Sequence, residues 1–273
     1  MREWADARRA AGERIGLVPT MGYLHEGHMS LVRIASEKGC GAVAASIFVN
    51  PAQFAAGEDY EKYPRDEARD LAMFRTASVS AVYLPGVPDM YPEGYRTYVE
   101  VEGVSKGLCG AFRPGHFRGV ATVVAKLFLA AKPHVAVFGE KDYQQLAVLR
   151  AMTRDLDFGV EIVGAPIVRE EDGLAMSSRN AYLRGDDRIA ARCLSRGLFR
   201  AGALFSGGER EAEVLVRAAR AEIEGEPRAR LEYAEGRDPD TLAPLSGRVG
   251  AVTILVAARV GPARLIDNVT LGR

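Results

Sequence analysis

The chain has 273 residues, of which 48% are hydrophobic and 26% charged, and its 36 Lys+Arg balance 36 Asp+Glu to a formal net charge of zero. That composition describes a globular chain with room for one large core or two unequal ones. It supplies no net charge to draw the protein onto nucleic acid or an anionic membrane.

The N-terminal stretch from Met1 to Arg14 is charged and reads as helical, unlike a signal peptide. Short apolar runs at Ile15–Val18, Ala42–Val49, Ala81–Leu84, Val135–Phe138 and Val160–Val163 then alternate with helical patterns at Gly27–Lys38, Arg65–Ala77, Phe117–Ala131 and Tyr143–Leu156. Strands flanked by helices at this spacing predict an α/β fold with a doubly wound, Rossmann-like parallel sheet. Beyond about Pro166 the pattern changes. Asp186–Phe205 and Glu209–Glu224 read as helices, and Arg230–Glu235, Ala251–Arg259 and Ala263–Val269 as strands. A second, smaller α+β domain is expected, dividing the chain into residues 1–167 and 168–273. Cys40, Cys109 and Cys193 are an odd set without CxxC spacing and fit buried thiols in a reducing, cytoplasmic setting. No apolar stretch reaches transmembrane length.

Four segments carry chemistry, each after a predicted strand or at the start of a predicted helix. The first is Pro19-Thr20-Met21-Gly22-Tyr23-Leu24-His25-Glu26-Gly27-His28, which holds two of the chain's four histidines. A helix N-terminus collects anions, and two imidazoles beside it can donate to phosphate oxygens. Gly27 between them is read as allowing close backbone approach to a ligand. The second is Phe48-Val49-Asn50-Pro51-Ala52-Gln53-Phe54, where two neutral amides emerge at a strand's carboxyl end. Asn50 also suits a turn, whereas Gln53 has no turn role and is free to bind a polar, uncharged group. The third, Gly139-Glu140-Lys141-Asp142-Tyr143-Gln144-Gln145, delivers Lys141 to the same sheet edge. There Asp142 can cap the next helix, with Gln145 one turn into it. The fourth, Met176-Ser177-Ser178-Arg179-Asn180, offers two hydroxyls and a guanidinium to a polyphosphate. No HExxH, GxGxxG or GxxxxGK[ST] pattern is present to support zinc, dinucleotide or P-loop chemistry.

Taken together, these segments resemble the nucleotidyltransferase superfamily with His-Ile-Gly-His and Lys-Met-Ser-Lys-Ser signatures. Within it they are most similar to the pantoate–β-alanine ligase family. Arg113-Pro114-Gly115-His116-Phe117-Arg118-Gly119-Val120 and the closing Leu265-Ile266-Asp267-Asn268 add to the likeness, which runs through nearly the whole chain. Members usually carry an extra segment before the residues matching Met1–Arg14. Arg179 stands where the wider superfamily has lysine, which suits this branch.

The resemblance implies a two-step ligation. Pantoate's carboxylate attacks the α-phosphate of ATP, giving pantoyl adenylate and pyrophosphate, and β-alanine's amine then displaces AMP. It implies catalytic roles for His25, His28, Lys141, Ser177 and Arg179, with His28 the proton donor and His25 the charge stabiliser. Met21, Gly22, Gly139, Glu140, Asp142, Val168, Met176 and Ser178 would complete the ATP site. Gln53 and Gln145 would hold pantoate with Asn50 nearby, these three forming the pantoate/β-alanine site, and Arg113 and His116 would border the pantoate or β-alanine pocket. Mg²⁺ is expected on the phosphates with Asp70 as an outer-shell partner, and a homodimer is expected. The alternative is an adenylyltransferase acting on a phosphorylated acceptor, which would need cations where Gln53 and Gln145 stand.

Overall fold

A computed structural model describes residues 1–273. Strands β1 (Ile15–Thr20), β2 (Ala42–Ile47), β3 (Ala81–Tyr83), β4 (Val135–Gly139) and β5 (Glu161–Ala165) form one parallel sheet in the order β3-β2-β1-β4-β5. The helices of this half are α1 (Arg2–Ala10), α2 (Glu26–Glu37), α3 (Glu67–Thr76), α4 (Val87–Met90), α5 (Leu108–Phe112), α6 (His116–Ala131) and α7 (Tyr143–Asp155). Strand residues alternate between two cores. Leu17, Ala44, Ala136 and Phe138 pack with α6 and α7 on one face, while Val18, Val43, Ala45, Val135 and Val137 pack with α2 on the other. Burial on both faces explains why these strands read as continuous apolar runs. Gly16 permits the closeness of α2, since a Cβ there would lie 3.1 Å from both Ala35 Cβ and Cys40 Sγ.

The chain runs outward from β1 to β3 and then returns to β4, so strand order reverses between β1 and β4. Ligands of doubly wound sheets bind beyond the strands' carboxyl ends at such a point. The histidine segment leaves β1 there, and Lys141 follows β4.

The second unit has its own core. Its helices are α8 (Gly185–Ala190), α9 (Cys193–Ser206) and α10 (Ala212–Glu224), and β6 (Ala229–Arg237), β7 (Val252–Val260) and β8 (Ala263–Leu271) form an antiparallel sheet. The single helix expected over Asp186–Phe205 is divided. At the junction Arg192 N donates to Ile189 O and Leu194 N to Ala191 O, a local tightening to i→i+3 bonds. The two units are tied together at the site: Asn268 of β8 donates from Nδ2 to the carbonyls of Glu140 and Lys141 at 2.9 and 3.0 Å. All three cysteines are buried and unpaired, and no helix is long and apolar enough to cross a membrane.

Candidate active site

A cavity of about 230 Å³ opens at the switch point, lined from all four signature segments. Met21, His25 and His28 come from the β1–α2 turn, and Asn50 and Gln53 from the β2 end. Gly139, Lys141, Asp142 and Gln145 follow β4, and Val168 and Met176 through Arg179 lie on the stretch leading into the second unit. A second cavity of about 390 Å³ adjoins it and shares Lys141, Asp142, Gln145, Ser177 and Arg179, among others.

The histidine rings stand 4.1 Å apart and tilted by 47°. The backbone N–H of His25 donates to His28 Nδ1 at 3.2 Å, so that nitrogen is an acceptor and the neutral ring's proton belongs on Nε2. Burial, then the proximity of His25 and Lys141, holds His28 well below the ordinary histidine range. His25 is lowered to about 4, first by burial and then by Lys141. Both rings are therefore neutral at pH 7 in the ligand-free protein. His25 Nδ1 is buried without a partner, an orphan that a ligand or solvent would satisfy.

Asp70 supports the turn before these rings. Its carboxylate accepts from Tyr23 N at 2.6 Å and Leu24 N at 2.8 Å, and Arg69 donates to Leu24 O. Gly22 sits at φ +84°, where a Cβ would come within 2.9 Å of Asp70 Oδ2.

Across the cavity, Gln53 is held from two sides. His116 Nδ1 and Arg113 Nη2 both donate to its backbone carbonyl, at 2.9 and 3.2 Å. Arg113 Nη1 donates to His116 Nε2 at 3.2 Å, which assigns the His116 proton to Nδ1. Burial and then Arg113 lower this ring to about 4. Arg113 is in turn held by a bidentate pair with Glu58. Gly119 lets α6 meet the Pro51–Gln53 turn, since a Cβ there would be 2.1 Å from Ala52 O. Beyond Gln53 the wall is apolar, with Phe48, Val120, Val123, Val124 and Leu127.

A family model described as pantoate-beta-alanine ligase matches residues 1–270. The pantothenate synthetase of Myxococcus xanthus is 54% identical over 275 residues, covering 100% of this chain and 94% of that protein. That of Heliobacterium modesticaldum is 51% identical over 271 residues, covering 99% and 96%. The crystal structure of the Thermus thermophilus enzyme superposes with a TM-score of 0.92 at 50% identity, covering 97% of this chain and 96% of that one. The Francisella tularensis pantoate-beta-alanine ligase, solved in complex with β-γ ATP and β-alanine, gives 0.80 at 32% identity, covering 98% and 94%. The chain belongs to the pantoate–β-alanine ligase family.

For this family member the structure brings His25, His28, Gln53, Lys141, Gln145, Ser177 and Arg179 to one cavity, and redirects several neighbours. Asp70 has its oxygens on the Tyr23 and Leu24 amides and lines neither of the two joined cavities, so its position is that of a loop anchor rather than of a metal's outer shell. Asn50, expected on pantoate, has every hydrogen-bonding position of its amide engaged within the protein. Glu140 lines neither joined cavity, its side chain packing over Gly164 of β5 and its carbonyl taken by Asn268. Gly22 lines neither joined cavity and serves the turn. Ser178 does line the cavity, but its hydroxyl donates to Tyr23 O at 3.1 Å and so ties the two segments together. Gly27 answers to a side chain, because a Cβ there would lie 2.9 Å from Cε1 and Nδ1 of His25.

Two acids escaped the sequence reasoning. Asp59 pairs bidentately with Arg179 at 2.9 and 2.9 Å, and Glu58 pairs with Arg113. The tripeptide Glu58-Asp59-Tyr60 gave no signal, because its meaning lies in distant partners. The apolar wall was legible only as a valine-rich helix face.

Proposed function

We propose that this chain joins pantoate to β-alanine at the expense of ATP, through a pantoyl adenylate, releasing pyrophosphate and AMP. The observation that carries this reading is the pairing, across one small cavity, of a neutral histidine pair and a lysine with two glutamines backed by an apolar wall. Pantoate is a matching shape: one carboxylate, two hydroxyls and a carbon bearing two methyl groups.

In the first step a pantoate carboxylate oxygen bonds to the α-phosphorus of ATP, and the bond to the bridging oxygen breaks toward pyrophosphate. In-line displacement needs alignment and charge neutralisation more than covalent help. His28 Nε2–H donates to an α-phosphate oxygen as charge grows there, and His25 fills the other side. Because both rings are neutral beforehand, His28 acts as a hydrogen-bond donor rather than by surrendering a proton. Lys141, Ser177 and Arg179 hold the departing phosphates, with backbone near Met21, Gly139 and Val168 against the nucleotide. In the second step β-alanine's amine attacks the acyl carbon, the C–O bond breaks toward AMP, and the amine sheds its proton.

Mg²⁺ supplies further neutralisation of the phosphates when bound. No group of three or more His, Cys, Asp or Glu side chains is arranged to hold a metal, which fits an ion arriving on the nucleotide with its waters. Asp142, half-exposed beside Lys141 at 3.7 Å, would be the carboxylate to meet that hydrated ion. Residues 1–167 carry ATP and pantoate in this reading, and residues 168–273 close over them; the separate cores support that division. A homodimer rests on family likeness, and a reducing cytoplasm on the unpaired buried cysteines.

A pyrophosphate-release assay with ATP, pantoate and β-alanine tests the reading. Release should require pantoate, and His28→Ala or Lys141→Ala should lower turnover about a hundredfold or more with the fold retained. Release without pantoate overturns the assignment; full turnover in both variants overturns the residue roles.

A further inference from the structure

The polarity of Gln53 can be traced through fixed points. An amide side chain presents a donor or an acceptor according to which way it is turned, and its neighbours decide. Asn50 lies between four groups. Ala52 N can only donate, and it reaches Asn50 Oδ1 at 3.2 Å. Gly119 O can only accept, and it receives Asn50 Nδ2 at 3.1 Å. Those two backbone groups fix the Asn50 amide in one orientation. Its remaining Nδ2 hydrogen points at Gln53, so the Gln53 atom facing it, at 2.9 Å, must be the acceptor Oε1. Gln53 Nε2 is thereby turned the other way, where its one protein partner is the thioether of Met21 at 3.2 Å. Sulfur is a weak acceptor that a substrate oxygen would readily replace.

One group in this chain lies outside the cavity. Tyr91, at the end of α4, donates from its hydroxyl to Asn50 Oδ1 at 2.7 Å, across 41 residues of sequence, and lines neither joined cavity. Its ring stacks obliquely on Phe48 at 6.3 Å and lies under Lys126 at 5.6 Å. Burial, together with Tyr95 and Tyr98, holds the phenol above its ordinary range, so it remains a donor.

We propose that Tyr91 is a positioning residue for pantoate recognition, helping to fix, through Asn50, which end of the Gln53 amide faces the substrate. The inference rests on the pantoate reading given above. It assigns to Gln53 the role of donor, and so requires a substrate oxygen as acceptor at that point. The Tyr91 hydroxyl supplies the second of the two donors to Asn50 Oδ1; without it the two backbone contacts alone hold the amide, and the Asn50–Gln53 pair is less firmly fixed in the orientation that offers Nε2 to the substrate.

Tyr91→Phe removes the hydroxyl and keeps the ring. The Michaelis constants for pantoate, ATP and β-alanine would be measured by pyrophosphate release, with thermal unfolding as a check on the fold. The constant for pantoate should rise about fivefold, the net worth of one hydrogen bond, while those for ATP and β-alanine stay unchanged. In a Gln53→Leu background Tyr91→Phe should add nothing, because the group it orients is gone. Asn50→Asp, isosteric but lacking the Nδ2 donors, should raise the pantoate constant by more than the Tyr91 variant does. An unchanged pantoate constant in Tyr91→Phe, independent multiplication of the Tyr91 and Gln53 effects, or normal pantoate binding in Asn50→Asp each overturns the proposal. Absence of pantoate-dependent turnover in the unsubstituted enzyme overturns the functional reading itself, which separates the two failures.

Discussion

A Cβ on residue 27 would sit 2.9 Å from two atoms of the His25 ring, closer than such atoms approach. Gly27→Ala therefore sets two effects against each other. Alanine favours a helix by up to about 1 kcal/mol over glycine, and residue 27 lies in the first turn of α2. The cost falls on His25, which must rotate or shift away from the place where, on the proposed mechanism, the α-phosphate is read. A displacement on the order of 1 Å in a positioned group costs about a hundredfold in rate. The variant should unfold at the same temperature or higher, yet release pyrophosphate about a hundredfold more slowly. Calorimetry beside the assay checks both signs, and unimpaired turnover would show that the ring's position is not critical. The reason for Gly27 was not legible beforehand: an HxGH string suggests a glycine near a ligand, but not that the His25 ring itself folds back over it.

At the scale of elements, the five parallel strands were legible because burial on both faces writes an apolar run into the sequence. The carriers of the site were less so. Asn50–Gln53, Glu140–Asp142 and Ser178–Tyr182 each include a short 3₁₀ turn, and three to five residues hold no periodicity to detect. The connection between β2 and α3 was read only for Gln53, although it brings Glu58 and Asp59 to arginines 55 and 120 residues away. No local pattern encodes such pairs. On the proposed mechanism Asp59 and the nucleotide phosphates compete for the same guanidinium, that of Arg179, whose side chain is only 21% exposed. In Asp59→Asn that arginine loses its charged partner, so the ligand-free protein should melt about 3 °C lower, as expected for roughly 1 kcal/mol in a chain of this size. A non-hydrolysable ATP analogue replaces the lost charge, and the rise in melting temperature it produces should exceed that of the unsubstituted protein. Equal rises in a thermal-shift titration would show that Asp59 and phosphate do not share Arg179.

Across the whole molecule, all four histidines are held below their ordinary range, each first by burial. Three also have a ring nitrogen that accepts from a protein donor: His28 from His25 N, His116 from Arg113, and His134 from Ile15 N at 2.9 Å. Protonating such a nitrogen would set donor against donor. In the unfolded chain these rings titrate near 6.5, whereas folded His25 and His116 titrate near 4. Between those values the unfolded state binds more protons, so stability is fully present above about pH 6.5 and declines as pH falls toward 4. Glu58 and Asp59 add nothing in the upper part of that window. Though burial opposes it, Arg113 and Arg179 hold them below ordinary values of 4.5 and 3.8, so their contribution is lost only at lower pH. Urea unfolding at steps from pH 7 to 5 should show a steady loss of free energy, made shallower by His116→Gln. ATP acts in the opposite sense on His25, whose Nδ1 has no protein partner, because phosphate charge favours the imidazolium. Binding at pH 6 should take up protons, seen calorimetrically as a heat that varies with the buffer's ionisation enthalpy, and His25→Gln should reduce that uptake. A buffer-independent heat would mean that both rings stay neutral beside the phosphates and that their contribution is hydrogen bonding alone.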